Sequence, residues 1–519
     1  MDAIIKQFWM LFAVFFLFIS CSSKHSEKSP NIVLFLVDDL GWQDTSVPFW
    51  TNITENNKLY RTPNMERLAS KGVKFTEAYA SQNCSPSRVS LMTGMNPARH
   101  RVTNWTLKKD TLNWDELKHS SLTFPDWNMN GISSIAGAKN AVFAKCLPEL
   151  LRDKGYRTIH CGKAHFGAIG MPSAAPRLIG FNINIAGHAA GAPYSYYGEE
   201  NFGFKSSDIW GVPGLKKYHQ SKINLTEALT IEAISAMDQS LESQAPFFLY
   251  MSHYAVHTPL QGDSRFVEKY LKSGLDSIEA NYASMIEGVD KSLGDILDYL
   301  EDNRIENNTI ILFMSDNGGL SDTPPRGGVS FMHNYPLSSG KSSAREGGIR
   351  VPMMVSWKGK VSENIIDTTP IKIEDFFPTI LELTNTQFNG PQILDGKSFV
   401  ESINGTQYQK NDRALIWHFP NYVGRNELEY GFGPFSVIRK GKWKLIYYHV
   451  DSSFELFDLK NDISETRNLF ESKNQIAQEL AAELTSYLVS VNAQMPRCKK
   501  DGKQVEWPST VINRLKNER

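Results

Sequence analysis

A chain of 519 residues, with 41% hydrophobic residues and 55 Lys and Arg set against 56 Asp and Glu, is long enough to bury a large core. Its formal net charge of -1 gives no electrostatic signature of nucleic-acid binding, so small or carbohydrate partners are expected. Five cysteines in a chain of this length imply no disulfide framework.

The first segment holds Lys6 and then an apolar run from Phe8 to Ile19, which is too short to span a bilayer but suits the core of a signal peptide. It ends in Phe18-Ile19-Ser20-Cys21-Ser22-Ser23. The small residue before Cys21 reads either as a bacterial lipoprotein cleavage box, with Cys21 lipidated, or as ordinary signal cleavage nearby. Residues 1–21 are therefore expected to be a leader and 22–30 a polar tether, and the mature chain an exported periplasmic or cell-surface protein of a bacterium. A lipid on Cys21 would be its only link to a membrane.

Asn31 to Val37 is a continuous apolar run of strand length, as expected of a strand buried on both faces. Thr62-Pro63 has the form of a helix start, with Thr62 as the cap and Gly72 at the far end. The stretch Cys84-Ser85-Pro86-Ser87-Arg88, with Thr93-Gly94 behind it, places a cysteine just before a helix. There the free amides and the dipole favour negative charge. Taken alone, Cys84 is either a nucleophile or a small buried hydrophobe.

Helix then strand recurs at Leu147–Lys154 with Arg157–Cys161, and at Thr226–Leu241 with Phe247–Met251. Tyr282, Met285, Ile286, Val289, Leu293, Ile296, Leu297 and Leu300 keep helical spacing before the strand Thr309–Met314. This alternation predicts an α/β fold with a mostly parallel sheet covered by helices on both faces. After Thr384 the texture changes. From Phe435 the pattern predicts an antiparallel meander and a last amphipathic helix, hence a smaller α+β unit. Cys146 and Cys161 bracket one short helix and are either paired or two structural thiols.

In open parallel sheets ligands bind beyond the carboxyl ends of the strands. Those ends read Asp38-Asp39, Gly162-Lys163-Ala164-His165, Ser252-His253 with His257 behind, and Ser315-Asp316-Asn317. Asp38, Asp39, Asp316 and Asn317 offer only oxygen, and three crowded carboxylates repel one another unless a cation intervenes. Ca²⁺ is favoured because it takes many oxygen ligands in irregular geometry; Mg²⁺ is the alternative. Against them stand Arg88, Lys163, His165, His257 and Lys341, a cationic set that would meet an anionic ester from several sides.

Together, Asn31–Asp39, the Cys84 motif, Gly162-Lys-Ala-His-Phe-Gly167, His257-Thr-Pro, Ser315-Asp-Asn-Gly-Gly319, Gly340-Lys341 and Glu346-Gly-Gly-Ile-Arg-Val-Pro352 resemble the type I, formylglycine-dependent sulfatases, bacterial carbohydrate sulfatases and arylsulfatases among them. Ala164 is the one departure, where an aromatic is more usual. The resemblance implies an alkaline-phosphatase-like fold, with a catalytic domain over 31–385 and a C-terminal subdomain over 386–519. It further implies that a maturation enzyme oxidises Cys84 to formylglycine, whose hydrate attacks the sulfur of a sulfate ester beside Ca²⁺. Residue 84 would share that ion with Asp38, Asp39, Asp316 and Asn317. By the same resemblance Arg88 and Lys163 hold the hydrate, His165 assists its deprotonation, and His257 and Lys341 bind sulfate and serve the leaving oxygen.

The expected substrate is a sulfated glycan, and the stretch Met95–Leu107 resembles carbohydrate sulfatases that act on galactose or N-acetylgalactosamine, which implies a sulfate of one of these sugars. Candidate pocket residues are Trp105, Trp114, Trp127, His253, Trp417, His418 and Tyr422, whose rings suit sugar faces. Two rival readings are a phosphonate or phosphate ester hydrolase of the same superfamily, and a non-catalytic binder of sulfated glycans should Cys84 stay unmodified.

Overall fold

Eight strands form the main sheet: β1 (Asn31–Val37), β2 (Gly72–Phe75), β3 (Arg157–Gly162), β4 (Ile183–Ile185), β5 (Phe247–Ser252), β6 (Thr309–Ser315), β7 (Met353–Ser356) and β8 (Ile365–Asp367). Their spatial order is β8-β2-β7-β6-β1-β5-β3-β4. The computed structural model describes residues 29–112, 114–204, 209–320, 333–405 and 413–518; the leader, Cys21 and all but the last two residues of the expected tether lie outside them. The sheet is mostly parallel, as expected: β1 runs parallel to β6 and β5, and β5 continues through β3 to β4. β7 is the exception, antiparallel to both β6 and β2.

Every residue of β1 is buried, because helices cover both faces. Ile32, Leu34 and Leu36 point into one core with Val89, Leu91 and Met92 of α1 (Cys84–Thr93), while Val33, Phe35 and Val37 point into the other. That second core receives the apolar stripe of the 26-residue helix Ser277–Asp302. Asp276 caps this helix through the amides of Ile278 and Glu279. Leu293 at its centre is wholly buried, so truncation to Ala costs about 3 kcal/mol.

The helix Pro63–Ser70 is capped differently from the sequence expectation. The Thr62 hydroxyl accepts from the Ser46 amide instead, and Asp290 of the long helix receives the Met65 amide at 2.8 Å. Cys146 and Cys161 are free and buried, two structural thiols.

The second sheet is antiparallel: β9 (Leu415–Phe419), β10 (Phe435–Lys440), β11 (Trp443–Tyr448) and β12 (Phe454–Asp458) pair in sequence order. Leu480, Leu484 and Leu488 of the helix Asn474–Ser490 pack on Ile438, Leu445 and Leu456. The expected meander is present but starts one strand earlier, at β9.

Candidate active site

Because β1, β3, β5 and β6 run the same way, their carboxyl ends share one edge, where Asp38, Asp39, Lys163, Asp316 and Asn317 emerge. α1 delivers Cys84 to this edge in its first turn, and all ten residues of the helix are buried. Arg88, one turn on, ties helix to sheet: Nε donates to Asp316 Oδ2 at 2.8 Å and Nη1 to Ser252 Oγ at 2.6 Å and to the Lys163 carbonyl at 3.0 Å. Two loops complete the arrangement. The Asp38 amide donates to the Ala255 carbonyl and the Val256 amide to the Asp38 carbonyl, which fixes the loop carrying His257. Lys341 N donates to the Gly319 carbonyl and Ser342 N to the Gln82 carbonyl, two residues before Cys84. Gly318 has no room for a side chain, since a Cβ there would lie 1.8 Å from the Gly347 carbonyl.

The charges interlock. Lys163 Nζ lies 2.6 Å from Asp38 Oδ2, and Lys341 Nζ lies 2.7 and 2.8 Å from the two Asp39 oxygens. Repulsion among the three carboxylates is thus met largely by side-chain cations, and repulsion alone does not call for a metal. The oxygens left over are more informative. Asp38 Oδ1 and Asn317 Oδ1 are buried without a hydrogen-bond partner, while Asn317 Nδ2 is engaged by Asp39 Oδ1 and the Gly318 carbonyl. Ligand atoms of Asp38, Asp316 and Cys84 all lie within 4.8 Å of one another. Orphaned buried oxygens of this kind are costly, and a hard cation would satisfy them. The donor set therefore fits Ca²⁺, with Mg²⁺ the smaller alternative.

Burial drives the Asp38 carboxyl well above the usual range, against the pull of Lys163 and with the neighbouring Asp316 and Asp39 adding to the rise. Burial acts the same way on Asp39, but Lys341 and His257 outweigh it and hold Asp39 below the usual range. Burial raises the Cys84 thiol despite Lys163 and Lys341, so the unmodified side chain is a neutral, weak nucleophile at neutral pH. Burial, then Lys163, keeps His165 neutral; its Nε2 lies 2.8 Å from the Thr106 carbonyl and so carries the proton, leaving the unpartnered Nδ1 as acceptor. His257 is lowered to about 3 by burial and then by Lys341, with Nδ1 on the Thr258 carbonyl at 2.8 Å.

A cavity of about 600 Å³ opens above Cys84, His165, His257 and Lys341. Trp105 lines it, as expected. His253 does not: it is fully buried, with Nε2 against Ser292 Oγ at 2.9 Å and its ring on Phe35. His418 does not either, because it lies on β9 inside the second sheet, bonded to Ser436 Oγ and the Gln494 carbonyl. Trp417 and Trp127 are likewise interior, donating to the Ala80 carbonyl and to Glu116. The Trp114 side chain lies outside the described residues, and Tyr422 stacks on Phe124 away from the cavity lining. Sequence reading missed Tyr194, Trp210 and Val423 in the lining. Tyr194 and Trp210 flank a stretch without periodicity, where an aromatic close to Gly191-Ala192-Pro193 was the available signal.

A family model described as Sulfatase matches residues 30–386. The chain belongs to the sulfatase family. It is accordingly a sulfuric ester hydrolase. A second model, N-sulphoglucosamine sulphohydrolase, C-terminal, matches residues 340–494. The enzyme is 29% identical to a sulfatase of Formosa agariphila, over 94% of either chain, and 28% identical to the mouse (Mus musculus) N-acetylgalactosamine-6-sulfatase, over 85% of this chain and 76% of that one. Among solved structures it is similar to Ps i-CgsB, with a TM-score of 0.70 and 26% identity over 94% of this chain and 98% of the other; a structure of Ps i-CgsB in complex with k-i-k-neocarrahexaose matches with the same TM-score and 25% identity. A phosphonate monoester hydrolase of Agrobacterium radiobacter, 20% identical with a TM-score of 0.58 over 89% of this chain and 95% of its own, shares the fold.

Proposed function

We propose that the enzyme hydrolyses sulfate monoesters of carbohydrates, with residue 84 matured from cysteine to formylglycine and one Ca²⁺ held by Asp38, Asp39, Asp316, Asn317 and residue 84. The convergence of Cys84 with the Asp38 and Asp316 oxygens, beside buried oxygens that lack partners, carries this reading. The neutral thiol supports it further, since an unmodified Cys84 is poorly suited to attack sulfur. Once in place, the modified residue supplies a hydroxyl nucleophile and the cation a fixed positive charge.

The rest is done by the chain's own side chains. Arg88 and Lys163 flank residue 84 and orient it. His165, with Nε2–H fixed on the Thr106 carbonyl, has Nδ1 free to take a proton. Lys341 stays protonated, because Asp39 and its other acidic neighbours outweigh burial, and it presents its charge at the cavity floor. A sulfate ester bound between Lys341 and His257 favours the imidazolium form of His257, whose Nε2–H then serves the departing oxygen.

Relatives named N-acetylgalactosamine-6-sulfatase support a galacto-configured sugar as substrate. The formylglycine reading makes the enzyme dependent on a formylglycine-generating partner, and the leader sequence Phe8–Ser23 independently supports export as a bacterial lipoprotein anchored through Cys21. Radiolabelled palmitate incorporation, lost in Cys21→Ala, tests the anchor. Relative kcat/KM for 4-nitrophenyl sulfate, phosphate and a phosphonate monoester tests the chemistry: the sulfate is expected to turn over fastest, and a faster phosphoester would replace this reading with the phosphohydrolase one.

A further inference from the structure

The walls of the cavity differ from its floor. Tyr194 N donates to the Trp210 carbonyl at 3.0 Å, so these two aromatic residues are tied side by side, and Trp105 adjoins the Thr106 carbonyl that fixes His165. The Gly191 backbone packs directly on the His165 ring, where a Cβ would fall 2.4 Å from Cε1, so the segment leading to Tyr194 is seated against the site. Pro193, Pro259 and Val423 supply further apolar surface.

Among the described residues that line the cavity, Lys341 alone carries a formal charge. No carboxylate is among these lining residues, and Lys341 is already paired with Asp39. Among the described residues that line the cavity, none beyond the floor offers a charge to compensate a second anion. A carboxylate or additional sulfate pressed against Trp, Tyr, Pro and Val would lose its hydration without gaining a partner. An uncharged ring, by contrast, places its apolar C–H face on the aromatic side chains at no such cost.

We infer that this pocket selects sulfate esters whose leaving group is an electrically neutral ring and rejects rings that bear a further anionic group. The inference rests on the sulfatase reading of residue 84, and its experiment separates the two. Full-length enzyme, with conversion of residue 84 verified by peptide mass, is assayed on 4-nitrophenyl sulfate, on a galactoside carrying one sulfate, and on the same galactoside carrying two. The expected kcat/KM for the singly sulfated sugar exceeds that for the doubly sulfated one by about tenfold or more. Tyr194 is 53% exposed, so Tyr194→Arg can be accommodated, and the added guanidinium should narrow that ratio by raising turnover of the doubly charged sugar. Equal or faster turnover of the doubly sulfated sugar by the wild type, with 4-nitrophenyl sulfate still cleaved, overturns the inference and leaves the sulfatase reading intact. Failure to cleave any of the three overturns both.

Discussion

Lys341 and Asp39 stand 302 positions apart in sequence, yet their side chains meet at 2.7 Å. The contact joins the loop after β6 to the end of β1 and sets the only formal charge among the described residues lining the cavity. Lys341→Met should therefore act on both partners. Asp39 loses the cation that opposes its burial, and a bound sulfate loses its fixed donor. Steady-state kinetics should record a fall in kcat/KM of about 10²–10³. A variant within twofold of wild type would remove Lys341 from the site.

Asp316 holds Arg88 through Nε and also belongs to the oxygen cluster around Cys84. Asp316→Ala should abolish bound calcium, measured by elemental analysis after gel filtration, together with turnover. Unchanged calcium content alongside lost activity would restrict this residue to positioning Arg88.

The segment that presents Lys341 is locked from the second sheet. Lys444 on β11 is fully buried and lies 3.0 Å from Glu346 and 2.9 Å from Glu465, while the Glu346 amide donates to Glu465 at 2.6 Å. Removing the cation leaves two buried carboxylates facing each other, so Lys444→Met should cost about 3–5 kcal/mol of stability, read from denaturant unfolding. Wild-type denaturation midpoints would contradict this.

Glu346 adds a pH dependence. Burial opposes its ionisation, but Lys444 and Arg350 outweigh burial and lower its pKa to about 2. A carboxyl depressed in the folded state stabilises above its unfolded pKa, about 4.5, and that contribution is lost as pH falls through the folded value. The melting temperature of the wild type should drop between about pH 4.5 and pH 2 more steeply than that of Glu346→Gln, which should already be lower at neutral pH. Parallel curves would refute the assignment.

Much of this was legible in the sequence because the physics is local. The run Asn31–Val37 has the length and apolar continuity of a doubly covered strand, and parallel neighbours bring Asp38, Lys163 and Asp316 to one edge once the strands are recognised. His253 and His418 misled for the opposite reason. A histidine after or within a strand looks the same whether it faces a cavity or the core, and only packing on Phe35 or Ser436 decides. β9 went unseen because Leu415–Phe419 carries Trp and His among its apolar residues and gains its strand character from pairing with β10. The pairing of Tyr194 with Trp210 is a backbone contact across an irregular loop, which no periodicity encodes.

The central claim is chemical and concerns one side chain. Mass spectrometry of the peptide containing residue 84, from enzyme produced in a host able to mature it, measures that claim directly. Conversion of thiol to aldehyde lowers the peptide mass by about 18 Da, and specific activity should rise in proportion to the converted fraction, with Cys84→Ala inactive. A preparation that cleaves sulfate esters at full rate while residue 84 retains its thiol mass would contradict the account.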